Sequence, residues 1–319
     1  MKSSSFQPIQ SYRIPRKGYF YVILAAVCWA VSGTAGKYLF QHGITPYELV
    51  QIRLSLSVIT LGAYLFVKKP SLLKISRQDI LYFAALGMLG MGMVQFTYFY
   101  AISKIPVASA ILLEYLAPLI ITLYSLIILR EKPRASVIVA LVSAIAGCYL
   151  VVGAYNLDLL SINKQGIMAG IGSAVSFAWY SLYGERGMRR YHPWTVLFYA
   201  LFFACILWNI LYPPLKSFEH RFDATGWALV FYIVLFGTVI PFGLYFEGIN
   251  LIRASRASIT ATLEPITAAV ISWIFLGEKL GIAQIIGGIL VISSVIILQL
   301  KKEEDRETPE IIRRQAAKQ

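Results

Sequence analysis

The sequence predicts an all-α integral membrane protein of ten transmembrane helices, built as two inverted five-helix repeats. Three observations in the 319 residues carry that expectation. Long apolar blocks recur along the whole chain. Basic residues crowd into alternate connections. The second half repeats the first at a fixed offset.

Hydrophobic residues make up 58% of the chain and charged residues only 14%, against roughly a quarter charged in ordinary soluble domains. The apolar blocks lack the alternation of an amphipathic helix or strand, so they need apolar surroundings on every side. A hydrocarbon core of about 30 Å takes about 20 helical residues. That ruler places spans near 18–40, 46–67, 79–101, 106–129 and 135–153, then 166–187, 193–213, 226–248, 254–276 and 281–300. Each must be helical, because backbone groups in lipid have to pair within their own segment. Residues 1–17 form a polar, basic N-terminal segment, and residues 301–319 a charged tail that is frayed or amphipathic. The run from Gly18 is too long for a signal-peptide core and is read as an uncleaved first span.

The net charge of +13 suggests nucleic acid only superficially, since the basic residues lie between the apolar blocks and form no stripe with stacking aromatics. With the N-terminus inside, 22 of the 29 Lys and Arg fall in inner connections and the helix ends beside them, and 5 in outer ones. The positive-inside bias therefore puts both termini in the cytoplasm. Cys28, Cys148 and Cys205 fall inside apolar blocks and read as inert thiols. His42, His192 and His220 lie in connections, without a ligand spacing, so no metal or cofactor is expected.

The stretch beginning at Tyr98 recurs without gaps from Tyr245, with about a third of positions identical, Pro118 matching Pro265 and Glu131 matching Glu278. The offset is 147 residues, and Pro46 pairs with Pro193 at the same distance. Five helices per repeat is an odd number, so the second copy (166–300) enters the membrane from the side opposite to the first (18–153). Inverted repeats are common in secondary transporters, where rocking one half against the other exposes a central site alternately.

The residues that mark this chain are Trp29 and Lys37 in the first span, Arg53 in the second and the prolines of the fourth and ninth. The Leu-x-Glu-Lys ends at 129–132 and 276–279 complete the set. With them, residues 18–300 resemble tandem EamA-type domains of the drug/metabolite transporter superfamily. The resemblance implies export of amino acids, metabolites or drug-like solutes across a bacterial inner membrane. The second half has no clear counterparts of Lys37 and Arg53, so the charges are not twofold symmetric.

Charges within spans are costly unless paired or hydrated, and each is a candidate for solute binding or coupling. Glu264, about 15 Å into its span, would contact a substrate amine or carry a coupling proton; its structural alternative is a carboxyl beside the Pro265 kink. Glu114 lies one turn before Pro118, and its repeat equivalent is Ala261. Arg53 could bind a carboxylate or pair with Glu114 or Glu48. Lys37 sits where a lysine snorkels easily. The motifs LGMLGMGM and LFGTVIPFG mark helix interruptions at Gly90, Gly237 and Pro241, with Pro118 and Pro265 beyond them. Such breaks at matching positions point to a transporter's cavity, close packing through small residues being the alternative. Tyr98, Tyr245 and Trp29 would line that cavity, or else serve as packing and interface anchors.

No phosphate loop, G-x-S-x-G or H-E-x-x-H motif occurs, and the spans contain no histidine. An enzyme is therefore not expected, and the reading is a secondary transporter that moves small solutes through the bilayer, with protons as a possible coupling ion. The competing reading is a lipid-linked-sugar flippase, which would need a lateral groove open to lipid. An intramembrane enzyme, the third, would need a nucleophile and base at one depth.

Overall fold

A computed structural model of the chain describes residues 12–13, 15–130, 133–152, 163–220, 222–276, 281–300, 304–305 and 308–317. The described chain is helical apart from one two-residue bridge, in which β1 (Tyr12–Arg13) pairs antiparallel with β2 (Glu304–Asp305). The helices in chain order are α1 (Arg16–Gln41), α2 (Pro46–Lys68), α3 (Ile80–Ala85), α4 (Met93–Lys104), α5 (Val107–Glu114), α6 (Ala117–Ile127) and α7 (Ala135–Val151). They continue with α8 (Lys164–Met188), α9 (Pro193–Leu211), α10 (Ala224–Val234), α11 (Ile240–Ala261), α12 (Leu263–Leu276), α13 (Ile282–Leu300) and α14 (Pro309–Ala316). The ends of sequence segments 129–132 and 276–279 lie largely outside the described residues.

Local chemistry sets the helix starts. Thr45 and Glu48 form a reciprocal capping box at α2, whose first residue is Pro46. Asn163, His192 and Asp223 accept backbone N–H groups at the starts of α8, α9 and α10. Wide π-turns replace α geometry at Leu86–Gly92, between α3 and α4, and at Leu235–Val239, between α10 and α11. A second pair of breaks falls at Tyr115–Leu116 and at Thr262. Both pairs recur at the offset read from the sequence.

Among the described residues, seven helical segments are long and apolar enough to cross a membrane, and α7 is a shorter apolar helix. One of the seven, Ala224–Ala261, has 38 residues and bends sharply at Arg253, where φ is 70° and ψ 162°. The chain is a multi-pass membrane protein.

Packing pairs the helices antiparallel. Along α1 and α11, Gly18 abuts Leu251 and Ile252, while Trp29 meets Phe242 and Tyr245. Along α8, Gly166 abuts Lys104 and Ile105 and Gly187 abuts Tyr82. In α7 and α13 the backbones touch at Gly147 and Gly287, and Ser143 Oγ donates to the Leu290 carbonyl at 2.9 Å. Equivalent contacts recur in the two halves. The Phe99 ring fills the notch left by Gly36, and the Phe246 ring the notch left by Gly184.

The tail is more ordered than a frayed segment. Helix α14 docks on the end of α8 and on α11 at Asn250, and Arg313 Nη1 donates to the carbonyls of Met188 (2.6 Å) and Tyr191 (2.9 Å). The cysteines are free thiols, as their sequence context implies.

Candidate functional site

Three of the four breaks border a small cavity of about 50 Å³, a few water positions at about 15 Å³ each. Trp29 and Ser32 of α1, Arg53 of α2, Gln95 and Tyr98 of α4 and Phe177 of α8 face it. So do Glu114, Tyr115 and Pro118 at the α5–α6 break, Gly237 and Phe242 at the second π-turn, and Ala261 and Glu264 at the α11–α12 break. Both halves of the chain therefore contribute to one chamber.

The prolines explain much of its polarity. A proline has no N–H to give the carbonyl four residues before it. Pro241 therefore leaves the Gly237 carbonyl without its helical partner, and Arg53 Nη2 donates to it at 3.0 Å. The same guanidinium donates to Thr238 Oγ1 from Nη2 (2.7 Å) and from Nε (3.1 Å), and lies 4.7 Å from the Phe99 ring centre. Thr238 passes its own hydrogen to the Ile233 carbonyl. Arg53 is thus tied to the π-turn of the other half. The carboxylate pairings expected for it do not appear among the described ion pairs, and Glu48 is occupied in its capping box.

Pro265 acts likewise on the Ala261 carbonyl. The Tyr115 hydroxyl, from the first half, lies 2.8 Å from that oxygen and 2.9 Å from Glu264 Oε2. A phenol has one hydrogen to donate. An ionised Glu264 and the Ala261 carbonyl compete for it. A protonated Glu264 supplies a second hydrogen, and both contacts are then satisfied. Glu264 and Glu114 are only partly buried within the packed chain because each borders the cavity.

The other sequence candidates lie outside the chamber. Lys37 reaches the end of α4, where Nζ donates to the Ile102 carbonyl at 2.6 Å. Tyr245 is fully buried, its hydroxyl 2.9 Å from Ser181 Oγ and its ring against Trp29. Gly90 lies in the first π-turn against Tyr180. Pro241 and Pro265 shape the chamber without lining it. Sequence reasoning missed Tyr115 and Gln95. Gln95 was findable as an amide inside an apolar span, three residues and so one helical turn before Tyr98, whereas Tyr115 had no signal distinguishing it from other aromatics. Among the described residues, the Trp29 indole N–H has no hydrogen-bond partner, and no group of His, Cys, Asp and Glu is placed to hold a metal.

Comparison with known proteins agrees with this architecture. A solved crystal structure superposes with a TM-score of 0.72 at 19% identity, covering 89% of this chain and 96% of the other. The chain is 30% identical over 290 residues to the uncharacterized inner membrane transporter YicL of Salmonella typhimurium, covering 89% of this chain and 96% of that protein. It is 25% identical to the threonine/homoserine exporter RhtA of Escherichia coli K12, with 88% and 92% covered. The model of the EamA-like transporter family matches residues 16–153 and again 164–300. The chain therefore belongs to the EamA-like transporter family.

Proposed function

We propose that the protein is a secondary transporter exporting small amine-bearing metabolites by alternating access, with Glu264 as the site of a coupling proton. The observation that carries this reading is the placement of Glu114 and Glu264 in one aromatic-walled chamber bordered by helix breaks of both halves. Carboxylates would hold a solute ammonium, and Trp29, Phe177 and Phe242 add apolar and cation–π contact. The exporter RhtA, whose named solutes are amino acids, supports the amine. The one-hydrogen competition at Tyr115 supports proton coupling, since a proton on Glu264 both neutralises it and lets Tyr115 satisfy the Ala261 carbonyl at the same time.

The ten-span, inverted arrangement is part of the same proposal. At 1.5 Å per residue the 38-residue segment Ala224–Ala261 would reach about 57 Å, nearly twice a hydrocarbon core. The Arg253 bend divides it, so its end joins α12 in a ninth pass. The antiparallel contacts of α1 with α11, α4 with α8 and α7 with α13 fit two halves exchanged by a twofold axis in the membrane plane. The repeats would then be residues 18–153 and 166–300, with both termini in the cytoplasm.

The test is untargeted profiling of the medium around cells that overproduce the protein. An amine-bearing solute should accumulate with the wild type and fall to background with Glu114→Gln/Glu264→Gln, at equal membrane abundance. Indistinguishable media would remove the export reading.

A further inference from the structure

A second, larger cavity of about 670 Å³ lies between α6, α8 and the Arg253 bend, and it shares no lining residue with the central chamber. Its α8 wall is one helical stripe from Val175 through Trp179 and Leu182 to Arg186 and Arg189. Its 14 residue steps span about 21 Å. One membrane leaflet is about 15 Å of hydrocarbon plus its headgroup layer, so the lengths match.

Polarity is segregated along this groove. One end is apolar, formed by Ile120, Tyr124, Val175, Trp179 and Leu182. Its mouth faces the surroundings: Val175 is 53% and Trp179 40% exposed. The other end gathers Arg186, Arg189 and Arg253 around Glu185, three cations and one carboxylate among the described lining residues. Glu185 is already engaged. It accepts from Arg253 Nε at 3.2 Å and from the Ala254 backbone N–H at 2.7 Å, and so braces the bend. Arg189 lies 3.9 Å from it, and its buried Nε has no hydrogen-bond partner. Guanidiniums fork naturally onto phosphate oxygens, and basic pockets between membrane helices suit anionic headgroups.

We infer that this groove is a binding site for an anionic phospholipid, its phosphate held by Arg186 and Arg189 and one acyl chain lying along Trp179 and Val175. Separation from the chamber makes it a lipid site beside the transport path. A transporter whose solute differs from the one proposed would keep it.

The test uses the purified full chain in mixed micelles with brominated lipids, which quench nearby tryptophan. The Trp179 signal is isolated as the difference between wild type and Trp179→Phe. Brominated phosphatidylglycerol should quench it at least threefold more effectively than brominated phosphatidylcholine. Arg186→Gln/Arg189→Gln should abolish that preference, and Arg186→Lys/Arg189→Lys should retain most of it. Equal quenching by the two lipids, or full preference in the Gln variant, would overturn the inference. Relief of quenching by millimolar glycerol phosphate or inorganic phosphate would assign the groove to soluble anions and overturn it as well. If the Gln variant does not fold, the wild-type lipid preference and the Lys variant still decide.

Discussion

At the scale of single residues, Arg53 and Glu264 both border the chamber yet are held in different ways. Arg53 is a structural clamp: each of its hydrogen bonds ends on the opposite half, at Gly237 or Thr238. Lysine cannot reproduce the guanidinium's planar fork. Arg53→Lys should cost about 1.5–3 kcal/mol, the worth of one charge-assisted hydrogen bond, and lower the thermal midpoint of the purified protein. A midpoint equal to wild type would return Arg53 to solute binding. Glu264, by contrast, shares Tyr115 with the Ala261 carbonyl. Glu264→Gln keeps the shape and a hydrogen-bonding amide, so insertion should be normal. Transport into proteoliposomes, or its response to an imposed pH gradient, should fall at least tenfold, about 1.4 kcal/mol in the affected step. Unchanged rates with unchanged pH response would leave the carboxyl a purely structural group.

At the scale of helices, close backbone approach is concentrated where α7 crosses α13. A Cβ on Gly147 would stand 2.7 Å from the Gly287 carbonyl oxygen and 2.6 Å from Val291 Cγ2. The obstacle includes backbone, so it cannot swing aside, and small residues are what let membrane helices approach this closely. Gly288, on the same helix, has nothing within 4 Å of such a Cβ. Gly147→Ala should therefore lower the thermal midpoint, while Gly288→Ala should leave it unchanged or raise it, the gain in helix propensity being up to about 1 kcal/mol. A harmless Gly147→Ala would mean that α7 and α13 separate readily, and the two halves would lose their rigid seam. The π-turns belong to this scale too. They interrupt α3–α4 and α10–α11, the helices that carry Gln95, Tyr98 and Phe242 to the chamber, and π-turns of this kind are frequent at functional sites.

For the whole molecule, the proposed exchange of halves predicts sidedness. Reporters fused to either terminus should signal cytoplasm. A cysteine at His42, exposed in the α1–α2 turn, should react with an impermeant maleimide from outside intact cells. That position spares Thr45, whose hydroxyl caps α2. An external C-terminus would contradict five passes per repeat. Helix α14 bears on the same question, because Arg313 ties it to Met188 at the end of α8 and to Asn250 beside the Arg253 bend of α11. Those two points and α14 must lie on one side of the bilayer.

The one-dimensional pattern was enough to reveal apolar blocks, the excess of basic residues in alternate connections and the 147-residue repeat. These are determined by solvation and by register, which act locally along the chain. It also marked Gly90, Gly237 and the prolines, because a missing N–H or Cβ is a property of the residue itself. Partner choice was not legible. Arg53 read as a partner for a carboxylate, and only the meeting of α2 with the π-turn of α10–α11 gave it Thr238 and the freed Gly237 carbonyl. Tyr115 gained meaning only when the fold set its hydroxyl between Ala261 and Glu264. Lys37 and Tyr245 carried the same sequence signals as their neighbours, yet the helix rotations turned them toward Ile102 and Ser181 instead of the chamber. A span's place in the membrane follows from its composition, but what a buried polar group touches depends on contacts between residues far apart in the chain, and only tertiary packing selects among them.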